Sequence, residues 1–421
     1  MLKPQDNERL VRVGPETPMG NLLRRYWQPA LLSSELPDND GAPVRVRLFG
    51  EDLIAFRDTS GAVGFLDAFC PHRRAPMFFA RNEQHGLRCI YHGWKFDIQG
   101  KCVDLPNVAD TERVAAGIKI VNYPAYEGGG VVWIYMGPKE KQPPHPDFEW
   151  MRAPERFRHV SKTHQDCNYL QALEGGLDTA HTSFLHNEDI GAKTLRNEDG
   201  VPKLEIFPTS YGYSYVSFRR APGDANYVRV YQYMMPYQQL RGFISDDYGN
   251  RKKMATVAGH FWVPIDDYTT TTWNLLYAAD ENVPFTREFA EEDEKRTGRG
   301  SDDMIPGTFQ LKRNKSNDYM VDRELQKRTY SGIVGINTQD IALQEGMGAI
   351  VDRSKESLVG TDLAIVTMRR MLLEATHAVE RGEDPPGIDS TSTRAVRGFD
   401  SVVPAGADWQ SELKDKMSAH W

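Results

Sequence analysis

The chain has 421 residues, of which 40% are hydrophobic and 26% charged, and its formal net charge at pH 7 is −8. The length predicts more than one globular domain, and the negative charge argues against nucleic acid as a partner. No apolar run approaches the roughly 20 residues that cross a bilayer, and the N-terminus has no apolar signal core, so we expect a cytoplasmic protein with no membrane partner.

The first part of the chain predicts a short extension followed by a small all-β domain. Residues 1–42 form the extension, in which the spacing of "NLLRRYWQPALL" predicts a helix that ends before Pro29. Residues 43–140 contain short runs rich in β-branched and aromatic residues, each bounded by Gly or Asp. Such runs are typical of the short strands of an all-β domain.

The remainder, residues 141–421, begins with a proline-rich linker and predicts a second domain. Residues 167–186 and 361–382 have helical spacing, and several stretches between them alternate apolar and polar residues as antiparallel strands do. The charged segment 285–303 is predicted to be a mobile insertion. We therefore expect an α+β fold, in which flanking helices pack on an antiparallel sheet.

Two cysteines and two histidines are closely spaced in the all-β part. Cys70 is followed by His72, and after sixteen intervening residues Cys89 is followed by His92. Each short pair mixes one thiol with one imidazole, which suits a two-iron cluster with two cysteines on one iron and two histidines on the other. Replacing two thiolates by imidazoles raises the potential of such a cluster.

Two simpler interpretations of these four residues stay open. They could hold a structural zinc ion, although zinc sites commonly pair cysteine with cysteine and histidine with histidine. They could also be core residues that are spaced this way by coincidence. The other two cysteines, Cys102 and Cys167, lie outside the pattern and are expected to be buried thiols.

The stretches "CPHRR" (70–74) and "CIYHGWKF" (89–96) resemble the Rieske domain of the aromatic-ring-hydroxylating oxygenases. The resemblance implies a [2Fe-2S] cluster held by the four residues above. Arg74 departs from the pattern, because many members have glycine there. We expect this difference to alter the surface of the cluster loop and not the ligation.

A second group of candidate ligands lies in "CNYLQALEGGLDTAHTSFLH" (167–186). Glu174, Asp178 and His181 are spaced four and three apart, which predicts one shared helical face. His186 is five residues beyond His181, about 140° round an ideal helix, so the helix must break for both to bind one ion. Two histidines and one carboxylate can hold an Fe(II) ion with positions open for O2.

The resemblance extends to this second group and covers nearly the whole chain. In the family's pattern His181 and His186 bind the iron, and Asp178 has a catalytic role, hydrogen-bonding an iron-bound histidine and a Rieske histidine of the neighbouring subunit. The third iron ligand lies far downstream in the family. We expect it to be Asp340, and the alternatives are Glu345 and Asp362.

The strand "NYVRVYQYMMP" offers a candidate substrate contact. Alternation places Tyr227, Arg229, Tyr231 and Tyr233 on one side. Arg229 could bind the carboxylate of an aromatic acid, whose geometry matches a guanidinium. The alternative is that this side is a solvated outer face of the sheet. Three further arginines are equally eligible: Arg219, Arg220 and Arg241.

The resemblance is closest to the phthalate-dioxygenase-like branch, which includes aromatic O-demethylases and has a helix-grip catalytic domain. It implies a terminal oxygenase that uses O2 and electrons from a separate NAD(P)H-dependent reductase of the flavin or ferredoxin type. The implied reaction is O-demethylation of a methoxylated aromatic acid or cis-dihydroxylation of a phthalate- or benzoate-type ring. The implied assembly is a homotrimer or a multiple of it.

Two other classes of function remain open from the residues alone. The chain could be a Rieske electron carrier with an appended ligand-binding domain. It could also be a zinc-stabilised ligand-binding protein with no redox role. Iron content separates the first from an oxygenase, and the colour of the purified protein separates the second.

Overall fold

The computed structural model describes residues 2–187, 200–243 and 255–421. The N-terminal extension contains three elements: α1 (Pro4–Val11), α2 (Pro18–Leu23) and β1 (Trp27–Leu32). The helix expected to continue to Pro29 therefore ends at Leu23, and that prediction was wrong. Tertiary pairing overrides the helical spacing here, because β1 pairs antiparallel with a later strand and sets Trp27 opposite Tyr135.

The following residues form small antiparallel sheets. Their elements are β2 (Val44–Leu48), β3 (Glu51–Arg57), β4 (Val63–Asp67), β5 (Arg81–Glu83), β6 (Gly86–Arg88), β7 (Lys95–Phe96), β8 (Cys102–Asp104), α3 (Thr111–Ala116), β9 (Asn122–Tyr123), β10 (Ala125–Gly128) and β11 (Val131–Tyr135). One sheet has the order β2-β3-β4-β9, a second β5-β6-β7-β8, and a third β1-β11-β10. The predicted all-β character is confirmed, while the predicted boundaries at residues 42 and 140 stay predictions.

The rest of the described chain is built on one large sheet. Its elements are α4 (Glu149–Arg152), β12 (Arg158–Gln165), α5 (Tyr169–Leu177), β13 (Lys203–Thr209), β14 (Gly212–Ala221), β15 (Ala225–Met234), β16 (Gln238–Phe243), β17 (Thr256–Pro264), β18 (Thr270–Ala278), α6 (Arg287–Thr297), α7 (Arg323–Thr329), α8 (Ile336–Gly346), α9 (Leu363–Glu380), α10 (Ser390–Thr393), β19 (Phe399–Pro404), α11 (Trp409–Glu412) and α12 (Lys414–Met417). Within the described residues the strand order is β12-β18-β17-β16-β15-β14-β13, and β19 also pairs with β15.

The long helix α9 lies against this sheet, as its sequence pattern predicted. Ile365, Met368, Leu372 and Ala375 recur at helical spacing and are all buried. The α+β class, with helices packed on an antiparallel sheet, is therefore confirmed. None of the helices in the described part of the chain is long and apolar enough to span a bilayer.

The segment 285–303 was predicted to be a mobile insertion, and that prediction was wrong. It forms α6, whose residues Ala290, Glu294 and Thr297 are buried. Arg299 follows the helix and donates a 2.8 Å hydrogen bond from Nε to Glu294 Oε2. Both residues also bond partners outside the segment: Glu294 Oε1 accepts from the Ser161 hydroxyl at 2.9 Å, and Arg299 donates to Asn337 Oδ1 at 3.2 Å. These contacts hold the segment against the rest of the domain.

Candidate active site

The four candidate cluster ligands lie on two loops of the small β domain. Cys70 and Cys89 are 1% and 3% exposed, whereas the rings of His72 and His92 are partly exposed with their centroids 4.5 Å apart. Each loop is closed by a backbone hydrogen bond to a cysteine carbonyl, from Arg74 N in one and from Gly93 N in the other, both 2.9 Å long. The fold thus pairs thiol with thiol and imidazole with imidazole.

Burial shifts the pKa values of two of the candidate cluster ligands. Burial, together with the neighbouring Cys89 sulfur, raises the pKa of Cys70 to about 11. Burial and the nearby His72 and Arg73 lower the pKa of His92, so its ring is neutral at pH 7. A Rieske-type cluster takes two cysteine sulfurs and two neutral imidazoles as its donors, and two cysteines and two histidines are what the loops present. The residues present therefore fit such a cluster.

Aromatic packing and one unusual backbone angle shape the cluster loops. Trp94 stacks on His72 at a centroid distance of 4.3 Å and donates its indole N–H to Asn107. Arg74 has a φ of 58°, in the left-handed region that glycine adopts without strain. Its guanidinium hydrogen-bonds Asp67 Oδ2 at 2.9 Å. The family's usual glycine at this position is explained by the backbone, and the arginine here adds a surface ion pair.

The second site brings three predicted ligands together. The Oδ1 atom of Asp340 lies 3.1 Å from His186 Nε2 and 3.4 Å from His181 Nε2, and the two Nε2 atoms are 3.1 Å apart. Among the described residues these three form a group whose ligand atoms all lie within 4.8 Å of one another. We call His181, His186 and Asp340 the triad. Its nitrogen and oxygen donors fit a divalent iron ion with open positions.

The local structure around the triad differs from the predicted helix. Helix α5 ends at Leu177, and a single 3-10 turn at His181–Ser183 follows. The prediction that Glu174, Asp178 and His181 share one helical face was therefore wrong. Glu174 is instead buried between Arg353 and Arg369 and bonds both of them. The predicted break in the helix is present, but it comes before His181 instead of after it.

The two alternative third ligands lie elsewhere. Glu345 accepts hydrogen bonds from Asp166 N at 2.9 Å and from the Tyr319 hydroxyl at 2.5 Å. Asp362 accepts a hydrogen bond from the backbone N–H of Val359. Of the three candidate carboxylates, Asp340 is the one that lies beside both histidines. Its role as a ligand remains a prediction, as do the roles of His181 and His186.

Asp178 lies on the outer side of His181. Its Oδ2 atom is 3.5 Å from His181 Nδ1, and its Oδ1 atom accepts the backbone N–H of Ala180 at 2.7 Å. Burial opposes a charge on His181, yet the carboxylates of Asp178 and Asp340 raise the pKa of this histidine to about 10. The predicted contact of Asp178 with an iron-side histidine is thus compatible with the geometry, while a contact with a neighbouring subunit lies outside a single chain.

A cavity of about 550 Å³ extends from the triad into the large sheet. Arg229 lines this cavity, is 3% exposed and lies over the ring of Tyr231 at 4.8 Å. The alternative that Arg229 faces solvent on the outside of the sheet was therefore wrong. Arg241 also lines the cavity, whereas Arg219 is buried on the Thr179 carbonyl and Arg220 is exposed.

Arg241 is held by two neutral partners in the cavity wall. It donates to Gln239 Oε1 at 3.2 Å and to His260 Nε2 at 2.9 Å. Burial and the nearby Arg229 and Arg299 lower the pKa of Arg241 to about 10, so it is still charged at pH 7. Burial and Arg241 keep the pKa of His260 well below its usual range, so His260 is neutral. The part of the cavity wall that contains Arg229 and Arg241, which we call the cationic wall, therefore carries positive charge.

Several of these wall residues were missed by the sequence analysis, although a signal was present. Alternation along β17 places Ala258, His260 and Trp262 on one face, and all three line the cavity. A Cβ atom at Gly176 would come within 2.1 Å of the Trp262 ring, so only glycine lets α5 lie flat on this wall. Arg299 lay in the segment predicted to be mobile and was missed for that reason.

Comparisons with known proteins are consistent with both sites. Residues 26–124 match the Rieske [2Fe-2S] domain family, and residues 134–420 match the family described as LigXa C-terminal domain like. The chain is 37% identical over 429 residues to the phthalate 4,5-dioxygenase oxygenase subunit of Pseudomonas putida, covering 97% of this chain and 94% of that protein. The chain belongs to the Rieske oxygenase family. The resemblance to its phthalate-dioxygenase-like branch is thereby confirmed.

Other members of the Rieske oxygenase family support the same placement. The 5,5'-dehydrodivanillate O-demethylase oxygenase subunit of Sphingobium sp. (strain NBRC 103272 / SYK-6) is 32% identical over 398 residues, covering 92% of this chain and 84% of that protein. The crystal structure of dicamba monooxygenase bound to dicamba has a TM-score of 0.60 at 18% identity, covering 86% of this chain and 98% of that chain. The two proteins therefore share their fold over most of the chain.

Proposed function

We propose that this Rieske oxygenase is a terminal oxygenase component that hydroxylates a carboxylated aromatic compound. The reaction is O-demethylation of a methoxylated aromatic acid or cis-dihydroxylation of a phthalate- or benzoate-type ring. The named substrates of the relatives above, phthalate and dehydrodivanillate, are both carboxylated aromatics, which supports this class. One of these relatives is named as a dioxygenase and the other as an O-demethylase, so the proposal includes both reactions.

One observation carries the proposal: a single cavity connects the triad with a cationic wall. Arg229 and Arg241 lie at this wall, and the two histidines and Asp340 line the same cavity. A volume of about 550 Å³ falls within the range of small-molecule sites. An aromatic acid bound with its carboxylate at the arginines would present the rest of its ring system toward the triad.

The residues of the cavity have separate tasks in this proposal. Arg229 and Arg241 receive the carboxylate through charge-assisted hydrogen bonds, which are stronger than neutral ones. Trp262 and Tyr231 contribute flat apolar surface that holds the ring and excludes water. An iron(II) ion held by the triad supplies O2 activation when bound. The position of a methoxy carbon or of a ring edge beside the triad then selects the reaction.

Oxygen uptake tests this function. The oxygenase, supplied with a compatible reductase, is assayed with phthalates, benzoates and methoxylated aromatic acids and with the neutral carboxamide of each, and products are identified. We expect uptake coupled to a hydroxylated or demethylated product for an acid and not for its amide. Uptake coupled equally well with the amides would contradict the assignment of the cationic wall.

The arginines are tested by charge-removing variants. Arg241→Gln and Arg229→Gln should raise KM for the acid about 10- to 100-fold, because a hydrogen bond to a charged group contributes about 1.5–3 kcal/mol. Arg220→Gln removes the same charge from an exposed position and serves as the control. A KM in both cavity variants equal to that of Arg220→Gln would show that the carboxylate binds elsewhere.

The proposal includes two partners. A separate NAD(P)H-dependent reductase supplies electrons to the cluster, in keeping with the designation of the relatives as oxygenase subunits. Other copies of the chain, as a homotrimer or a multiple, bring the cluster of one subunit to the triad of the next. Exposed apolar side chains lie near both sites: Ile90 and Tyr91 belong to the loop between Cys89 and His92, and Phe184 lies between the two triad histidines in sequence, with Tyr330 6.0 Å from its ring. Asp178 would connect the two sites across this interface.

A further inference from the structure

The two histidines of the triad are held by different partners on their Nδ1 side. For His181 the partner is the Asp178 carboxylate, in a partly exposed position and at the long distance of 3.5 Å. For His186 it is the side-chain oxygen of Gln339, at 2.7 Å. Both His186 and Gln339 are buried, so water does not compete for this hydrogen bond. The inner histidine of the triad thus depends on a neutral amide.

The orientation of the Gln339 amide follows from its second contact. Its Nε2 atom lies 2.7 Å from the backbone carbonyl oxygen of Ile333. A carbonyl oxygen only accepts hydrogen bonds, so the NH2 end of the amide must face Ile333 and the oxygen end must face His186. The flipped amide would bring two oxygen atoms together in a buried place, which is costly. The direction of the Gln339–His186 hydrogen bond is therefore determined by chemistry.

This direction has a consequence for the imidazole of His186. An amide oxygen accepts, so His186 Nδ1 must carry the proton and donate it. In the neutral ring the lone pair is then on Nε2. That atom is the one 3.1 Å from Asp340 Oδ1 and 3.1 Å from His181 Nε2, at the centre of the triad.

We propose that Gln339 is a positioning residue that fixes His186 as the Nδ1–H tautomer and so directs its Nε2 lone pair at the metal. The inference rests on the proposed function, since it takes the triad to be the iron site. Gln339 directly precedes Asp340 in α8, and the one helix therefore positions a ligand and orients a second ligand from another part of the chain. Outer partners of this kind commonly change metal affinity 10- to 100-fold.

The neutral character of Gln339 also has a reason. The triad already contains the carboxylate of Asp340, and Asp178 adds another beside His181. A third carboxylate at position 339 would place a buried negative charge within hydrogen-bond distance of His186. It would also have no N–H group to donate to the Ile333 carbonyl oxygen. An amide supplies the same acceptor to the ring while satisfying that carbonyl.

Cobalt(II) binding to the metal-free triad tests the proposal without relying on turnover. The protein with its cluster intact is titrated with Co(II), and the affinity is read from the visible absorption of the bound ion. Gln339→Leu should weaken Co(II) binding about 10- to 100-fold. Thr338→Val is the matched control, because Thr338 is buried in the same helix and its hydroxyl donates to the Gly298 carbonyl, away from the triad. Equal affinities in the two variants would overturn the proposal.

A second measurement keeps the proposal testable if Gln339→Leu does not fold. In the Zn(II)-loaded wild-type protein, labelled with 15N-histidine, His186 should show a protonated Nδ1 and a metal-bound Nε2. Metal on Nδ1 would overturn the proposal. Gln339→Glu keeps an acceptor for the ring and should bind Co(II) more tightly than Gln339→Leu. Failure of the wild type to bind Co(II) at the triad would instead refute the proposed function, so the two failures are distinguishable.

Discussion

At the residue scale, the predicted cluster ligands are of two types, and a mixture of two cysteines with two histidines gives a cluster a higher potential than four cysteines do. Cys70 and Cys89 are buried thiols, whereas His72 and His92 are partly exposed rings. His72→Cys would add a thiolate charge to the cluster. Its potential should fall from the range of about −150 to +300 mV toward about −400 mV. Spectroelectrochemical titration measures this, and an intact cluster with an unchanged potential would contradict the ligand assignment.

Another residue-scale prediction concerns acid stability. Burial and the nearby Lys162 lower the pKa of His164 from 6.5 to about 4 in the folded protein. Between these values the unfolded chain binds more protons, so the stability from the neutral ring is fully present above about pH 6.5 and is lost as the pH falls toward 4. At pH 5 the loss is at most about 2 kcal/mol.

His164→Gln tests this linkage. Urea unfolding at pH 7.5 and at pH 5 gives the loss of unfolding free energy for the wild type and the variant. The variant should lose less, by up to about 2 kcal/mol. The same loss in both proteins would mean that other groups account for the acid sensitivity.

At the element scale, α5 is anchored by a buried ion cluster just before the triad begins. Arg353 and Arg369 both bond Glu174, and Arg369 also bonds Glu356. Burial opposes the charge of Glu174, yet the two arginines lower the pKa of this carboxyl. Glu174→Gln would leave two buried guanidinium groups with less compensation. The free energy of unfolding should fall by about 3 kcal/mol.

The control for this prediction is Glu356→Gln. Glu356 is more exposed than Glu174, and among the described residues its ion-pair partner is Arg369, so its loss should cost about 1 kcal/mol. Denaturant unfolding compares the two variants. Because α5 leads into residues 178–186, Glu174→Gln should also weaken Co(II) binding at the triad, whereas Glu356→Gln should not. Equal losses of stability would contradict the anchoring role.

The elements also show where the sequence was informative. Helix α9 was predictable, because one apolar stripe at helical spacing determines which face is buried. Helix α6 was mistaken for a mobile insertion, because its charges are satisfied by Arg299 and by partners that no local pattern reveals. The prediction that Glu174 shares a helical face with Asp178 and His181 was wrong because α5 ends at Leu177. Tertiary contacts, and not helix propensity, determine the length of this helix.

The candidate site was predictable to the same extent and for related reasons. Ligand chemistry is carried by residue type and short spacing, which is why Cys70, His72, Cys89 and His92 could be grouped at once. Asp340 is far from His186 in the chain, so it required the family resemblance. Gln339, His260 and Arg241 depend on which side chains the fold brings face to face, and sequence spacing does not contain that information.

At the scale of the whole molecule, the two candidate sites lie in separate domains, and the proposed function requires electrons to pass between them. If a neighbouring subunit's cluster docks beside the triad, Asp178 bridges the two sites and orients both histidine rings. Asp178→Asn should then leave both metal sites loaded but slow the oxidation of a prereduced cluster by orders of magnitude in a single turnover. A normal rate, or a fully active monomer by light scattering, would contradict the inter-subunit arrangement.

In the proposed function, one chain holds both a Rieske cluster and a separate iron site. Iron analysis of the anaerobically purified protein tests it most directly and needs no knowledge of the substrate. We predict about three iron atoms per chain, two from the cluster and one from the triad. In His181→Ala the count should fall to about two while the red-brown cluster spectrum is unchanged. About two iron atoms per chain in the wild type would contradict the presence of a separate iron site and would favour a Rieske electron carrier.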